Sequence, residues 1–163
     1  MNSDFIIKAG VLLKYIGNST DIEIPDGVKV IDECVFLGRP ITSVTMPDSV
    51  VEVRDKAFHE CCELQSLRLS NNLETVGYCA FCGLSVKELK IPASVKTIAW
   101  GAFCDYRGVR LTKIKFYKRS KLERVEGRAF GMHPELKKVE IPAKLKDAFA
   151  KDAFDESCEI IWV

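Results

Sequence analysis

Seven thiols and two imidazoles carry most of the reactive chemistry in this sequence: Cys34, Cys61, Cys62, Cys79, Cys82, Cys104 and Cys158, with His59 and His133. A Cys–His nucleophile would need its imidazole within hydrogen-bond reach of the thiol. Cys79-Ala80-Phe81-Cys82 has the CxxC spacing of redox and metal motifs. Its inner Ala-Phe, however, recurs along the chain, so both cysteines read as buried repeat positions, where a free thiol packs as a small hydrophobe. Cys82 and Cys104 follow successive Ala-Phe pairs. Equivalent positions in stacked repeats lie about 5 Å apart at Cα, inside disulfide range; two reduced thiols are the expectation. His59 follows an Ala-Phe and His133 sits in Gly131-Met132-His133-Pro134, so both are expected on loops at the rim. Neither a Gly-rich phosphate loop, nor GxSxG, nor a paired-carboxylate motif occurs. The expectation is a non-enzymatic protein with no catalytic residue, no cofactor and no metal.

What positions these side chains is an internal repeat. Ala-Phe recurs at Ala57-Phe58, Ala80-Phe81, Ala102-Phe103, Ala129-Phe130 and Ala153-Phe154, with Val35-Phe36 as a variant. Ahead of each stands a turn mark: Pro25, Pro47, Ser70, Pro92, Tyr117 and Pro142, spaced by 22, 23, 22, 25 and 25 residues. Before each mark runs an alternating apolar-polar-apolar segment, as in Leu67-Arg68-Leu69, which reads as a short half-buried strand. Pro cannot extend a paired ladder, so the strand ends there. A second apolar set follows, such as Val28 and Ile31 or Val95 and Ile98, and the Ala-Phe then turns the chain back. One unit cannot cover both apolar sets; stacked units can. Phe58, Phe81, Phe103 and Phe130 should therefore form a buried column.

The segments Leu64-Gln65-Ser66-Leu67-Arg68-Leu69 and Ile91-Pro92-Ala93-Ser94-Val95-Lys96-Thr97-Ile98-Ala99-Trp100-Gly101-Ala102-Phe103 resemble the BspA-like, or Treponema-type, class of leucine-rich repeats. Cys61 matches a buried Cys often found in that class, and residues 5–17 resemble its capping hairpin. The chain departs from the pattern at Tyr117, where the fifth repeat lacks Pro, and in keeping the Gly after the second apolar set only at Gly77. The resemblance covers essentially the whole chain. It implies protein binding, often at microbial surfaces, and no catalytic residues. The expected fold is α/β, mostly β: a right-handed leucine-rich-repeat solenoid with a parallel repeat sheet, short turns and an N-terminal β-hairpin cap. Residues 1–163 are expected to form one domain, with the hairpin at 1–18, about six repeats over 19–156 and a terminal strand over 157–163. Ile160, Ile161 and Trp162 at that end suggest either end-to-end pairing of two copies or a longer parent chain, since an open solenoid end exposes strand edge and apolar surface.

Composition fits a globular protein: 47% hydrophobic and 29% charged residues exclude disorder. The apolar runs are too short to span a membrane, and Phe5–Ile7 is too short for a signal core. The chain is expected in the cytoplasm, where thiols stay reduced, or at a surface or secreted with a signal segment outside this sequence. Net charge is +1, yet residues 1–80 hold 7 Lys/Arg against 12 Asp/Glu and residues 81–163 hold 17 against 11. The outward strand positions follow the same gradient, from Asp21 and Glu23 to Lys90, Lys113, Lys115 and Lys138. Longer loops around the fifth strand add Tyr106, Arg107, Arg110, Tyr117, Lys118, Arg119 and Lys121, and irregular loops are where repeat proteins place recognition residues. Arg68, Lys90, Lys113, Lys115, Tyr117 and Lys138 are thus the candidate partner-binding residues. An acidic protein is the expected partner, and an anionic glycan also suits the strip. Nucleic acid is an alternative that the pI of about 7.5 disfavours. A thiol enzyme is a further alternative and would need a Cys of depressed pKa.

Overall fold

The computed structural model describes residues 4–107 and 111–163; the loop residue Arg110 lies outside them. An antiparallel hairpin, β1 (Phe5–Lys8) and β2 (Val11–Tyr15), opens the chain. Ala9 and Gly10 turn it, both with positive φ. Each of the first five rungs then contributes a three-residue strand before its turn and a two-residue strand after it. The first three rungs supply β3 (Asp21–Glu23) with β4 (Val30–Ile31), β5 (Ser43–Thr45) with β6 (Glu52–Val53), and β7 (Ser66–Arg68) with β8 (Thr75–Val76). The next two supply β9 (Glu88–Lys90) with β10 (Thr97–Ile98), and β11 (Lys113–Lys115) with β12 (Arg124–Val125). β13 (Lys138–Ile141), a 3-10 turn over Ala143–Ala148 and β14 (Glu159–Trp162) complete the chain. This is a mostly β solenoid, and none of its described helices is long and apolar enough to cross a membrane.

The short second strands build the longest sheet. Its order is β1-β2-β4-β6-β8-β10-β12, parallel from β2 onward. Register places Leu12, Ile31, Val53, Val76, Ile98 and Val125 in one row, all essentially inaccessible to water. β-branched residues suit such a pleated, half-buried surface, and the row supplies one wall of the core.

The Ala-Phe corner supplies a second wall. The Phe amide of each rung donates to the Ala carbonyl of the next: Phe36 to Ala57, Phe58 to Ala80, Phe81 to Ala102, Phe103 to Ala129 and Phe130 to Ala153, all at 2.7–2.8 Å. This ladder brings the rings face to face. Phe36, Phe58, Phe81, Phe103, Phe130 and Phe154 stack with successive centroid separations of 4.7, 5.1, 5.1, 5.6 and 5.0 Å, and Tyr15 continues the column into the hairpin. Each such pair adds about 0.5–1.5 kcal/mol beyond the area it buries. The alanines Ala57, Ala80, Ala102, Ala129 and Ala153 are fully buried, so nothing larger fits the corner without displacing a neighbour.

The corner also has a backbone signature. The residue two before each of the first five column Phe is left-handed: Cys34, Lys56, Cys79, Gly101 and Arg128 have φ of 57, 55, 48, 61 and 53°. The residue two after it is left-handed at Gly38, Glu60, Gly83 and Met132. A non-glycine residue in this region is strained by about 1–2 kcal/mol. The inter-rung amide bonds hold it there.

Candidate functional site

The strands before each turn form the repeat sheet, and it is interrupted twice. β3, β5 and β7 pair in one piece, β9 and β11 in a second, β13 and β14 in a third. Below the first interruption the chains still touch, since the Ser85 amide donates to the Leu64 carbonyl at 3.0 Å. Between β7 and β9 themselves no ladder forms among the described residues. The gap opens to solvent as a cleft. One part, about 870 Å³, is lined by Gln65, Ser66, Lys87 and Glu88; the other, about 560 Å³, by Arg68, Asn71, Lys90, Pro92 and Tyr117. Three of the six candidate binding residues thus meet in one groove although they come from three rungs.

On the far bank of the cleft, β9 and β11 pair in register: Glu88 opposite Lys113, Leu89 opposite Ile114, Lys90 opposite Lys115. Leu89 and Ile114 face the core, which turns the flanking charged residues outward, as strand alternation requires. Lys113 reaches Glu88 at 3.9 Å with both side chains largely exposed. Lys90 and Lys115 have no ion pair among the described residues. The Lys115 ammonium lies over the Tyr117 ring at 4.9 Å, a contact that orients the lysine while leaving its charge exposed. Lys138 stands on β13, across the second interruption, and pairs with Glu140 on its own strand at 3.5 Å. The structure therefore brings Arg68, Lys90 and Tyr117 around one opening, sets Lys113 and Lys115 beside it, and leaves Lys138 on a separate piece of sheet.

The acidic end of the same face is arranged differently. Asp21 accepts from the Ser43 hydroxyl at 2.7 Å and from the Thr42 hydroxyl at 3.3 Å, so its carboxylate is engaged within the fold. Asp32, on the neighbouring surface, is held below the usual carboxylate range by the Arg54 guanidinium that donates to it at 2.9 Å.

The histidines and thiols differ from expectation in one case. His133, expected at the rim, is buried, 5% exposed, and its Nε2 donates to the Phe103 carbonyl at 2.6 Å. The Asp155 carboxylate accepts from the Met132 and His133 amides, both at 2.8 Å; it folds this turn inward, a long-range contact that local spacing does not reveal. His59 stays partly exposed, its ring 6.4 Å from that of Tyr106, whose hydroxyl donates to Glu60 at 2.7 Å. That bond raises the Tyr106 pKa. Cys61 is buried and donates to the Phe36 carbonyl at 3.0 Å; burial pushes its thiol up to about 12. Cys79, Cys82 and Cys104 form a separate buried cluster, with the Cys82 and Cys104 sulfurs 2.9 Å apart. One of these two thiols donates to the other, and the shared hydrogen bond raises the Cys82 pKa and lowers that of Cys104. Only a few per cent of each residue is accessible, which denies a substrate in-line approach to the sulfurs.

At the C-terminal end, Phe149, Phe154, Ile160 and Trp162 line an opening of about 520 Å³. Trp162 meets Phe149 edge-on at 6.1 Å.

The repeat architecture recurs in known proteins. The model of the BspA type leucine rich repeat region matches residues 11–116 in six copies. No curated protein matches the chain. Among solved structures, a leucine-rich repeat protein from Bacteroides capillosus ATCC 29799 is 26% identical over 70% of this chain and 100% of that one, with a TM-score of 0.56. A leucine rich cell surface protein from Faecalibacterium prausnitzii A2-165 is 22% identical over 96% of this chain and 52% of that one, TM-score 0.59. The leucine rich repeat protein of T. pallidum is 21% identical, with coverage of 94% and 74% and a TM-score of 0.54. This chain thus spans about half the length of the Faecalibacterium protein.

Proposed function

The chain belongs to the BspA-type leucine-rich repeat family, and from that premise we propose that it is a non-enzymatic binding module that captures an acidic protein on its repeat sheet. Leucine-rich repeat proteins of this kind typically bind other proteins and are generally not enzymes. The binding residues are Arg68, Lys90, Lys113, Lys115, Tyr117 and Lys138, with the cleft between β7 and β9 as the centre and Lys138 as an outlying contact.

One observation carries this reading. Lys90 and Lys115 face each other on paired strands without a carboxylate between them among the described residues. Like charges directly opposite one another on a sheet destabilise it, and an acidic segment laid along the cleft relieves that repulsion. Tyr117 adds an aromatic edge to the groove, of the kind enriched at the centres of protein interfaces. Residence at a cell surface suits the reading, as in the Faecalibacterium relative, which is described as a cell surface protein. The apolar opening around Phe149 and Trp162 supports end-to-end pairing of two copies as a second, weaker element of the proposal, reported by sedimentation velocity.

The test is the double reversal Lys113→Glu with Lys115→Glu. Capture of immobilised acidic peptides should weaken by roughly thirtyfold, about 1 kcal/mol for each reversed lysine, while the melting temperature stays nearly unchanged. Unaltered capture removes these lysines from the site. Capture that shifts to sulfated glycan or to nucleic acid, with a steep salt dependence, replaces the acidic protein by that ligand.

A further inference from the structure

The cluster of Cys79, Cys82 and Cys104 lies apart from the binding face and from the main core. Their sulfurs all fall within 4.8 Å of one another, and the described residues place no further thiol, imidazole or carboxylate atom in that group. Along the chain, Cys79 and Cys82 form a lone CxxC inside one repeat. The third sulfur comes from the next rung, where Cys104 stands one rung above Cys82 because the Gly83 amide donates to the Cys104 carbonyl at 2.9 Å. A second corner position completes the arrangement. Cys79 occupies the left-handed site of its rung, and Gly101 occupies the same site one rung on. A Cβ at Gly101 would lie 3.2 Å from the Cys79 sulfur and 3.4 Å from that of Cys104. Glycine there leaves room for the three sulfurs to converge; any side chain would crowd them.

We propose that Cys79, Cys82 and Cys104 form a three-sulfur site for a soft monovalent d10 cation, copper(I). Buried thiolates select thiophilic metals over hard ones. Zinc in a closed structural site takes four ligands, and this cluster has three, 6, 2 and 7% exposed, which also leaves little room for a coordinated water. Copper(I) is content with three sulfurs in a plane. A metal–sulfur bond of about 2.3 Å puts such sulfurs roughly 4 Å apart, so Cys82 and Cys104 separate by about 1 Å from their thiol contact on binding. The metal enters as Cu(I) without change of oxidation state, three Cu–S bonds form, and the thiol protons leave to solvent. The site is independent of the acidic-protein reading.

Fully reduced protein, handled without oxygen, is titrated with copper(I) held by a competing chelator. Uptake of one copper per chain is expected, with X-ray absorption at the copper edge showing three sulfur neighbours. Cys82→Ser and Cys104→Ser should each weaken uptake by about tenfold or more, as removal of a ligand must exceed the effect of removing its supporting groups. A Cys34→Ser, Cys62→Ser double variant, which removes thiols outside the cluster, should leave uptake unchanged. The X-ray absorption measurement needs no variant, so it decides the matter even if a serine substitution fails to fold. No uptake by the reduced protein, two sulfur neighbours in place of three, equal uptake by Cys82→Ser, or zinc held in preference to copper(I) each overturns the proposal.

Discussion

The Ala-Phe corner and the repeat sheet are built from the same rungs, yet one is continuous and the other is broken. At the corner, five Phe-to-Ala amide bonds and a six-ring column run the length of the repeats without a gap. The repeat sheet falls into three pieces, and its outward residues change from Asp21 and Glu23 to Lys90 and Lys115. Where every rung must meet its neighbour through the same atoms, the residue types recur. The outward side chains of the repeat sheet take no part in its ladders, and along the sheet their charge changes from acidic to basic. The continuous ladder and the variable charge thus belong to different parts of one rung.

Three substitutions test this division. Phe81→Ala removes a ring stacked on both faces and should destabilise the protein by about 3–5 kcal/mol; a change below about 1 kcal/mol in a denaturant melt would mean that the column does not carry the fold. Arg128→Gly acts on the same corner in the other direction. Arg128 holds φ at 53°, and relief of that strain, less the greater freedom of glycine in the unfolded chain, should stabilise by about 0.5–1 kcal/mol. Destabilisation there would show that the arginine side chain matters more than its backbone. Lys90→Gln on the repeat sheet should have the smallest effect. Removing its repulsion with Lys115 is worth a few tenths of a kcal/mol and should fade as salt is added. A destabilisation as large as that of Phe81→Ala would erase the distinction between the two parts.

The corner is legible in the sequence because its constraint is steric and local: Ala-Phe at near-constant spacing allows few other readings. The left-handed residues beside it are hidden, because Lys56, Cys79 and Arg128 carry no mark of positive φ such as a glycine would give. The outward placement of Lys90, Lys113 and Lys115 follows from strand alternation. The gap between β7 and β9 does not, because the 22-residue step from Ser66 to Glu88 matches that from Asp21 to Ser43, whose strands do pair. His133 departs from its expected place at the rim since its burial depends on Asp155, 22 residues away. The third sulfur of the cysteine cluster belongs to the same class of signal. It becomes visible only when rungs are laid over one another, so that Cys104 falls on Cys82 and Gly101 on Cys79.

The gap between β7 and β9 also bears on the order in which the chain acquires its structure. A solenoid grows by propagation, each new rung closing a loop of similar length against the last. At the two steps from the first rung to the third, three ladders form together: the repeat sheet, the short-strand sheet and the Ala-Phe corner. At the next step the repeat-sheet ladder is missing among the described residues, and the single Ser85–Leu64 bond stands beside the Ala-Phe corner and the β8–β10 pairing, so the advance from the third rung to the fourth gains fewer hydrogen bonds than those before it. The chain is therefore expected to pause there, with the hairpin and first three rungs assembled, and to open there first when the native state breathes.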